Sequence, residues 1–473
     1  MNPDTYTAAT RPAALAVPPR APAVAPQWWA RLRAEHGRAQ ALSASVRALL
    51  WSRALVWAVG SGTLLVLGYG PLRKAFDAPR LTRGFGWFGD LLAGPAARWD
   101  ASWYLAIAQH GYRPDLGSAT AARAAFFPLY PLLLGGVSRL GAAPVLAGVL
   151  LSTAALALAL YGVHRLTMLE LADAGAARLA VLVIAFAPMA FYLSAVYSES
   201  LYLALSIGVF WYARQGRWAP AGALGGLAAA TRSTGLLLVL PALMLYLYGP
   251  RADAADDRAR GRTRREPRLA GARLAGALSR IAPRYRLRRE VLWLALIPAG
   301  ALMFMGYLAL SGASALLPFD SQAVWERHFA GPYVGVWDGL VAAFAGARQL
   351  LSFQTQHVYF AVAGASPRIA AEHNLLLLAF LLAAIPALIG VLRRLAPAYG
   401  AYVIAALAMP LSYPVAAQPL MSLPRFLLVL FPLSMWLGAW LAERPRAQRP
   451  VLAVSALSMA FFGAQFATWH WVA

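Results

Sequence analysis

The chain contains repeated apolar segments that are long enough to cross a lipid bilayer. A helix needs about 20 apolar residues to span a hydrocarbon core of about 30 Å. Of the 473 residues, 60% are hydrophobic, whereas soluble globular domains contain about half. A soluble fold is therefore excluded, and the sequence predicts an all-α polytopic membrane protein.

The apolar segments and the charges between them predict about eleven transmembrane helices. These lie at residues 46–68, 143–164, 178–196, 199–213, 218–231, 234–249, 291–311, 373–392, 398–414, 424–442 and 450–470. Thirteen arginines lie between residues 251 and 289, and a second group precedes the first span. Positive charge favours the cytoplasmic side, so both regions are expected inside, against the lipid headgroups.

This topology divides the chain into two cytoplasmic regions and two transmembrane modules. The regions are a disordered basic tail at 1–45, a module at 46–249 with an extracytoplasmic loop at 69–142, a basic loop at 250–290, and a module at 291–473 with an extracytoplasmic loop at 312–372. We attribute the net charge of +23 to basic residues that orient the protein in the membrane. Nucleic acid is therefore not an expected partner.

The apolar stretch FFPLYPLLLGGV at residues 126–137 is not counted as a crossing. Pro128 and Pro131 disfavour a continuous helix at its start, so we expect a juxtamembrane helix. Counting it as a span would invert every later loop and violate the charge bias.

The run ARWDASWYLAIAQHGY at residues 97–112 places Arg98 and Asp100 among aromatic side chains. Trp99, Trp103 and Tyr104 are amphipathic rings of the kind that settle at a membrane interface, and the spacing predicts a short interfacial helix. An isolated WD pair is also compatible with an ordinary solvated loop.

The predicted topology brings charged residues from distant segments to the outer face. These are Arg98, Asp100, Glu199, Arg232 and Arg425. Arg232 lies between two apolar stretches of about fourteen residues, or about 21 Å of helix, so it is expected below the membrane surface. An ionisable residue at that depth indicates a functional site. The alternatives are snorkelling of Arg232 and Arg425, and a helix-dipole role for Glu199.

Several of these segments resemble one family, in its order along the chain. They are RWDASWYLAIAQHGY at 98–112, AFFPLYPLLL at 125–134, FYLSAVYSESLYLAL at 191–205, GLAAATRSTGLLLVLP at 226–241 and SLPRFLLVLFPL at 422–433. They are similar to the GPI mannosyltransferase 2 family and its bacterial relatives, within the GT-C superfamily of membrane glycosyltransferases. The N-terminal tail and the basic insert have no counterpart in it.

The resemblance implies a GT-C-type fold and transfer of a hexose, typically mannose, from a polyprenyl-phosphate donor with inversion. It implies that Asp100 is catalytic, since a carboxylate can accept the proton of an acceptor hydroxyl. Arginines suit the leaving phosphate, and the candidates are Arg98, Arg232 and Arg425. The predicted substrate-binding residues are Trp99, Trp103, Tyr104 and Glu199.

The acceptor class stays open among a glycolipid, a cell-wall glycan and a secreted protein. The arginine-rich, alanine-rich composition is typical of high-GC coding sequence and indicates a bacterial plasma membrane. No cofactor or metal is expected, because the chain has no cysteine and its seven histidines show no paired ligand spacing.

Two other functions remain alternatives. A flippase or transporter of polyprenyl-linked sugars also needs a basic cavity, but it needs access from both faces, whereas the candidate charges cluster on one. A GT-C-like non-catalytic subunit would have no need for an intact RWD motif.

Overall fold

A computed structural model of the protein describes residues 27–70, 73–82, 86–113, 121–253, 283–352 and 367–472. Regular structure in these ranges is helical apart from isolated β-bridge residues, among them the antiparallel pair Arg327 and Val415. The prediction of an all-α polytopic membrane protein is confirmed. Residues Ala41–Ala473 form one compact unit, and Met1–Gln40 form a separate one.

The N-terminal half begins with a long helix, continues through short helices and ends in a bundle of apolar helices. Its α-helices are α1 (Gln27–Leu67), α2 (Arg73–Phe76), α3 (Pro79–Thr82), α4 (Gly86–Ala93), α5 (Ala101–His110), α6 (Leu129–Arg139), α7 (Pro144–Leu171), α8 (Ala174–Ala185), α9 (Glu199–Arg214), α10 (Trp218–Ala229) and α11 (Val239–Tyr248). The 3₁₀ helices in this half are Gly94–Ala96, Ala122–Ala125, Ala190–Leu193 and Ser233–Leu238.

In the described part of the C-terminal half, the helices are mostly longer. They are α12 (Leu296–Leu310), α13 (Leu317–Asp320), α14 (Pro332–Ser352), α15 (Pro367–Arg394), α16 (Pro397–Leu411), α17 (Leu423–Leu428), α18 (Phe431–Ala442) and α19 (Pro445–Ala467). Two 3₁₀ helices, Arg289–Ala295 and Ser321–Trp325, precede α12 and follow α13.

Within the described residues, five helical segments are long and apolar enough to cross a membrane. They are Gly37–Leu67, Pro144–Leu171, Arg289–Leu310, Pro367–Arg394 and Pro445–Ala467. Shorter apolar helices such as α8, α16 and α18 accompany them. The protein is therefore an integral membrane protein, and the exact number of eleven spans stays a prediction.

The helix bounds correct several sequence predictions. Residues 27–45 of the predicted disordered tail lie in α1, whereas residues 1–26 fall outside the described residues. The predicted span at 178–196 ends early, at Ala185, and the span at 424–442 is divided into α17 and α18. The division at the basic loop stays a prediction, because residues 254–282 are outside the described ranges.

Two segments before α7, the aromatic RWD run and the proline-containing FFPLYP stretch, form short helices, as predicted. The RWD run leads into α5, which has ten residues, and the FFPLYP stretch leads into α6, which has eleven. Eleven residues of helix extend about 16 Å, about half of the bilayer core. The length of α6 therefore agrees with a juxtamembrane helix.

Glycines allow α10 and α12 to pack backbone against backbone. A Cβ atom built on Gly300 would lie 1.9 Å from the carbonyl oxygen of Gly226, and one built on Gly222 would lie 2.0 Å from that of Trp293. Small residues permit this close approach of helices in membranes, where packing drives helix association. These contacts hold the helix that leads into Arg232.

The close approach predicts that Gly300→Leu destabilises the protein. Overpacking a tight core typically costs about 1–3 kcal/mol, and here the obstacle is backbone that cannot rotate away. We expect a lower midpoint of thermal unfolding in detergent and a smaller monodisperse fraction in size-exclusion chromatography. The matched control is Gly306→Leu in the same helix, where nothing lies within 4 Å of the added Cβ. Equal stability of the two variants would contradict this packing.

Candidate active site

Four of the predicted site residues form a continuous ionic network. The Arg425 guanidinium contacts Asp100 Oδ2 through Nη1 at 2.8 Å, and it contacts Glu199 Oε1 through Nε at 3.1 Å and Nη2 at 2.8 Å. Arg232 Nη1 lies 2.9 Å from the same Glu199 oxygen. The network thus joins segments that are up to 325 residues apart in sequence.

Asp100 is held by the backbone around it. Trp99 has a left-handed conformation with φ of +52°, which turns the chain directly before α5. The Tyr197 hydroxyl donates to the carbonyl of Arg98 at 3.0 Å and accepts from the amide of Asp100 at 3.1 Å. Because the Asp100 side chain makes no capping hydrogen bond to α5, its carboxylate is available to Arg425.

Glu199 is the buried centre of the network. It is the first residue of α9 and is fully buried. Tyr104, predicted to bind substrate, makes a 2.9 Å hydrogen bond with Ser198, the residue before Glu199. Burial of a carboxylate is costly unless it is paired, and here one oxygen faces two guanidinium groups.

Arg425 and Arg232 reach the network from breaks between helices. Arg425 lies in the six-residue helix α17, which begins at Leu423 and has Pro424 in its first turn. Ser422, with φ of +68°, precedes this helix. Its guanidinium also lies over the rings of Tyr192 and Tyr197, at 4.8 and 4.9 Å from their centroids. Arg232 has an extended backbone between α10 and the 3₁₀ helix that begins at Ser233.

Three of these four charged residues border a cavity of about 610 Å³, whereas the buried Glu199 lies outside its lining. Asp100, Arg232 and Arg425 line it, and the Asp100 side chain is 27% exposed. Apolar side chains from α16 and the chain before α17 line another part of it, including Met409, Pro410 and Met421. A cavity with clustered charge and an apolar lining suits an amphipathic ligand.

Aromatic side chains line one side of the cavity. Trp103 stacks on Phe126 with ring centroids 5.7 Å apart, and Trp325 meets both rings edge-on at 5.9 and 5.8 Å. Tyr104 contacts Phe126 and also lines the cavity. Trp99 lies nearby and packs edge-on against Trp469 and Trp471. The structure thus brings Trp99, Trp103 and Tyr104 to the same cavity, as expected from the sequence.

Arg98 is the predicted site residue that the structure places elsewhere. Its side chain is buried, and it donates to the carbonyl oxygens of Gly94, Ala97 and Ala467 at 2.5, 3.3 and 2.9 Å. It does not line the cavity. Arg98 therefore connects the RWD turn to the end of α19, and its predicted role in binding the donor phosphate stays a prediction.

Arg327 is a cavity residue that the sequence analysis did not single out. It follows the 3₁₀ helix Ser321–Trp325, in the predicted second outer loop, and it lines the cavity together with Arg425. Burial lowers the pKa of Arg327 to about 10, the nearby Arg425 adds to the decrease, and the Asp100 carboxylate opposes it. The side chain therefore stays charged at neutral pH. Among the described residues, no cluster of three or more His, Asp or Glu side chains could hold a metal ion.

Part of the chain matches known proteins. Residues 87–247 match the family model described as mannosyltransferase (PIG-V). GPI alpha-1,6-mannosyltransferase 2 of Rattus norvegicus is 34% identical over 177 residues, which cover 35% of this chain and 35% of the relative. The protein of the same name from Mus musculus is 35% identical over 156 residues, 31% of this chain and 30% of the relative. No solved structure matches.

The chain spans about a third of the length of these relatives. The matched family segment contains Asp100, Glu199 and Arg232, whereas Arg425 lies beyond it. Resemblance to the GPI mannosyltransferase 2 family, predicted from the sequence motifs, is confirmed.

Replacing Glu199 by Gln keeps the side-chain volume but removes the charge that two arginines share. Removing one partner of a buried ion pair costs about 3–5 kcal/mol, so we expect the midpoint of thermal unfolding in detergent to fall by several degrees. Glu372→Gln is the control, because its pair with Arg368 is exposed and exposed pairs contribute little. A Glu199→Gln protein as stable as wild type would show that the network does not hold these segments together.

Proposed function

We propose that this chain, whose residues 87–247 match the mannosyltransferase (PIG-V) family model, is a membrane mannosyltransferase. Its donor is a polyprenyl-phosphate sugar and its acceptor a hydroxyl of a glycolipid, glycan or protein. The observation that carries the proposal is the position of Asp100. It lies within the matched segment, at the edge of the cavity, in an ionic network with two arginines.

Asp100 acts as the general base in the proposed reaction. The acceptor oxygen attacks the anomeric carbon of the donor sugar as the bond from that carbon to the phosphate oxygen breaks. The hydroxyl proton moves to the carboxylate, and the electron pair of the broken bond stays on the phosphate. Attack from the face opposite the phosphate inverts the anomeric centre. Arg425 contacts one Asp100 oxygen, which orients the carboxylate towards the acceptor.

Arg232 and Arg425 stabilise the charge that develops on the leaving phosphate. Both line the cavity, and preorganised guanidinium groups stabilise such charge in a site that excludes water. Glu199 sets their positions because it contacts both. The apolar side chains of Met409, Pro410 and Met421 offer a surface for the polyprenyl chain.

The active site is proposed to face the extracytoplasmic side of a bacterial plasma membrane. The positive-inside pattern supports this orientation, because the arginine-rich segment 250–290 would lie in the cytoplasm. Asp100, Arg327 and Arg425 then share the opposite face. A lipid-linked donor and a glycolipid acceptor are both reachable there from the bilayer.

Asp100→Asn tests the catalytic role. We expect a folded protein whose mannosyl transfer is at least about a hundredfold slower, which is the low end of general-base contributions. Transfer is measured by mass spectrometry with the purified protein, synthetic polyprenyl-phosphate mannose and a mannoside glycolipid acceptor. Asp320→Asn, an exposed aspartate that does not line the cavity, should have full activity. Near-normal turnover by Asp100→Asn would remove Asp100 from the mechanism, and sugar-lipid translocation without transfer in proteoliposomes would identify a flippase.

Single cysteines test the orientation, since the native chain has none. Phe329 and Leu287 are exposed, at 73% and 69%, and they lie in the predicted outer loop and inner loop respectively. A membrane-impermeant maleimide added to intact cells should label Phe329→Cys, while Leu287→Cys should react only after the membrane is permeabilised. The reverse pattern would place the cavity on the cytoplasmic side.

A further inference from the structure

The ionic network of the cavity balances its own charge. Two carboxylates, Asp100 and Glu199, contact two guanidinium groups, Arg232 and Arg425, at 2.8 to 3.1 Å. Each arginine therefore already has a negative partner when no ligand is bound. An incoming phosphate must share these arginines with the protein's own carboxylates.

Arg327 has a different environment. Its Nη1 and Nη2 atoms donate to the backbone carbonyls of Tyr413 and Met421, at 3.5 and 3.2 Å. Within the described part of the chain, no carboxylate lies within 4.0 Å of its guanidinium, and the neighbouring Glu326 is exposed. Two long carbonyl contacts offset the charge of a partly buried guanidinium only in part.

The local backbone conformation places Arg327 at the cavity. Glu326 has a left-handed conformation with φ of +56°, which ends the 3₁₀ helix Ser321–Trp325. Arg327 then pairs with Val415 in the isolated antiparallel bridge. This bridge fastens the outer loop to the chain that leads into α17, so Arg327 and Arg425 lie on the same cavity.

Arg327 stands apart from the ion pairs of the cavity. Three arginines, Arg232, Arg327 and Arg425, line the cavity together with two carboxylates, Asp100 and the exposed Glu326. Glu199 lies outside this lining and pairs with Arg232 and Arg425. The phosphodiester of a polyprenyl-phosphate sugar carries one negative charge. A guanidinium has five N–H donors, so the two carbonyl contacts of Arg327 leave further donors for phosphate oxygens.

We propose that Arg327 binds the phosphate of the polyprenyl donor and of the polyprenyl phosphate that leaves. This inference rests on the proposed function, because it names a residue that recognises the donor of that reaction. Arg232 and Arg425 face the same phosphate while they pair with Asp100 and Glu199, and Arg327 adds a third guanidinium that is in no ion pair with these two carboxylates.

Direct binding measurements separate this role from a structural one. Purified protein in phosphatidylcholine nanodiscs is titrated with polyprenyl monophosphate and, separately, with the uncharged polyprenol of the same length. We expect Arg327→Gln to bind polyprenyl monophosphate at least about tenfold more weakly, since it loses a charge-assisted hydrogen bond. Binding of polyprenol should not change. The control Arg368→Gln removes an arginine whose side chain is 74% exposed, and it should bind both lipids as wild type does.

Each other result overturns the proposal. Unchanged binding of polyprenyl monophosphate would show that Arg327 does not recognise phosphate, and equal weakening of both lipids would show that it only holds the loop. Displacement of polyprenyl monophosphate by an equal amount of phosphatidylglycerol would assign the site to membrane headgroups. If Arg327→Gln does not fold, binding of polyprenyl monophosphate is measured with Arg327→Lys instead. We expect weaker binding, because one ammonium group cannot keep both carbonyl contacts and also bind phosphate as arginine does. Unchanged binding by that variant would equally overturn the proposal.

The proposed function and the role of Arg327 can be tested separately. Wild-type protein that binds polyprenyl monophosphate through Arg327 but transfers no mannose would be a lipid-phosphate binding protein. Transfer that is intact in wild type, with normal phosphate binding by Arg327→Gln, would leave the enzyme assignment standing and remove Arg327 from it.

Discussion

The buried carboxylate of Glu199 is the contact on which the rest of the site depends. It is fully buried and contacts arginines from two distant segments, Arg232 before the 3₁₀ helix at Ser233–Leu238 and Arg425 in α17. An unpaired charge at that position would carry a large desolvation cost. The three segments therefore have to meet in this arrangement, and their meeting places Asp100 beside Arg425.

The chain departs from regular helix where these segments meet. Trp99 and Ser422 adopt left-handed conformations, and α17 has only six residues before the chain breaks again ahead of α18. Such conformations cost about 1–3 kcal/mol each and concentrate at functional sites. Irregular backbone within a membrane protein is tolerated where it lines a cavity or is buried in protein. The geometry of the cavity is thus supported by the rigid helices around it.

Much of the fold and the centre of the site could be predicted from sequence. The short helices α5 and α6 were expected from aromatic spacing and from Pro128 and Pro131, because both signals are local. Asp100, Glu199, Arg232 and Arg425 were expected to converge because charge among apolar segments is rare. Arg98 was grouped with them because it is charged and close to Asp100 in sequence, but the structure places it outside the cavity lining. Carbonyl oxygens, which no sequence pattern marks, hold its side chain instead.

The sequence by itself determined the helical membrane architecture, since long apolar segments have few other ways to satisfy their backbone in lipid. It also indicated the residue types that we propose for the base and for phosphate binding, a carboxylate and arginines. Only the tertiary structure decided how those charges pair. Ion pairing depends on contacts of a few ångströms between segments hundreds of residues apart, as between Asp100 and Arg425. The same structure showed that Arg327, in a loop without a distinctive motif, lines the cavity outside these ion pairs.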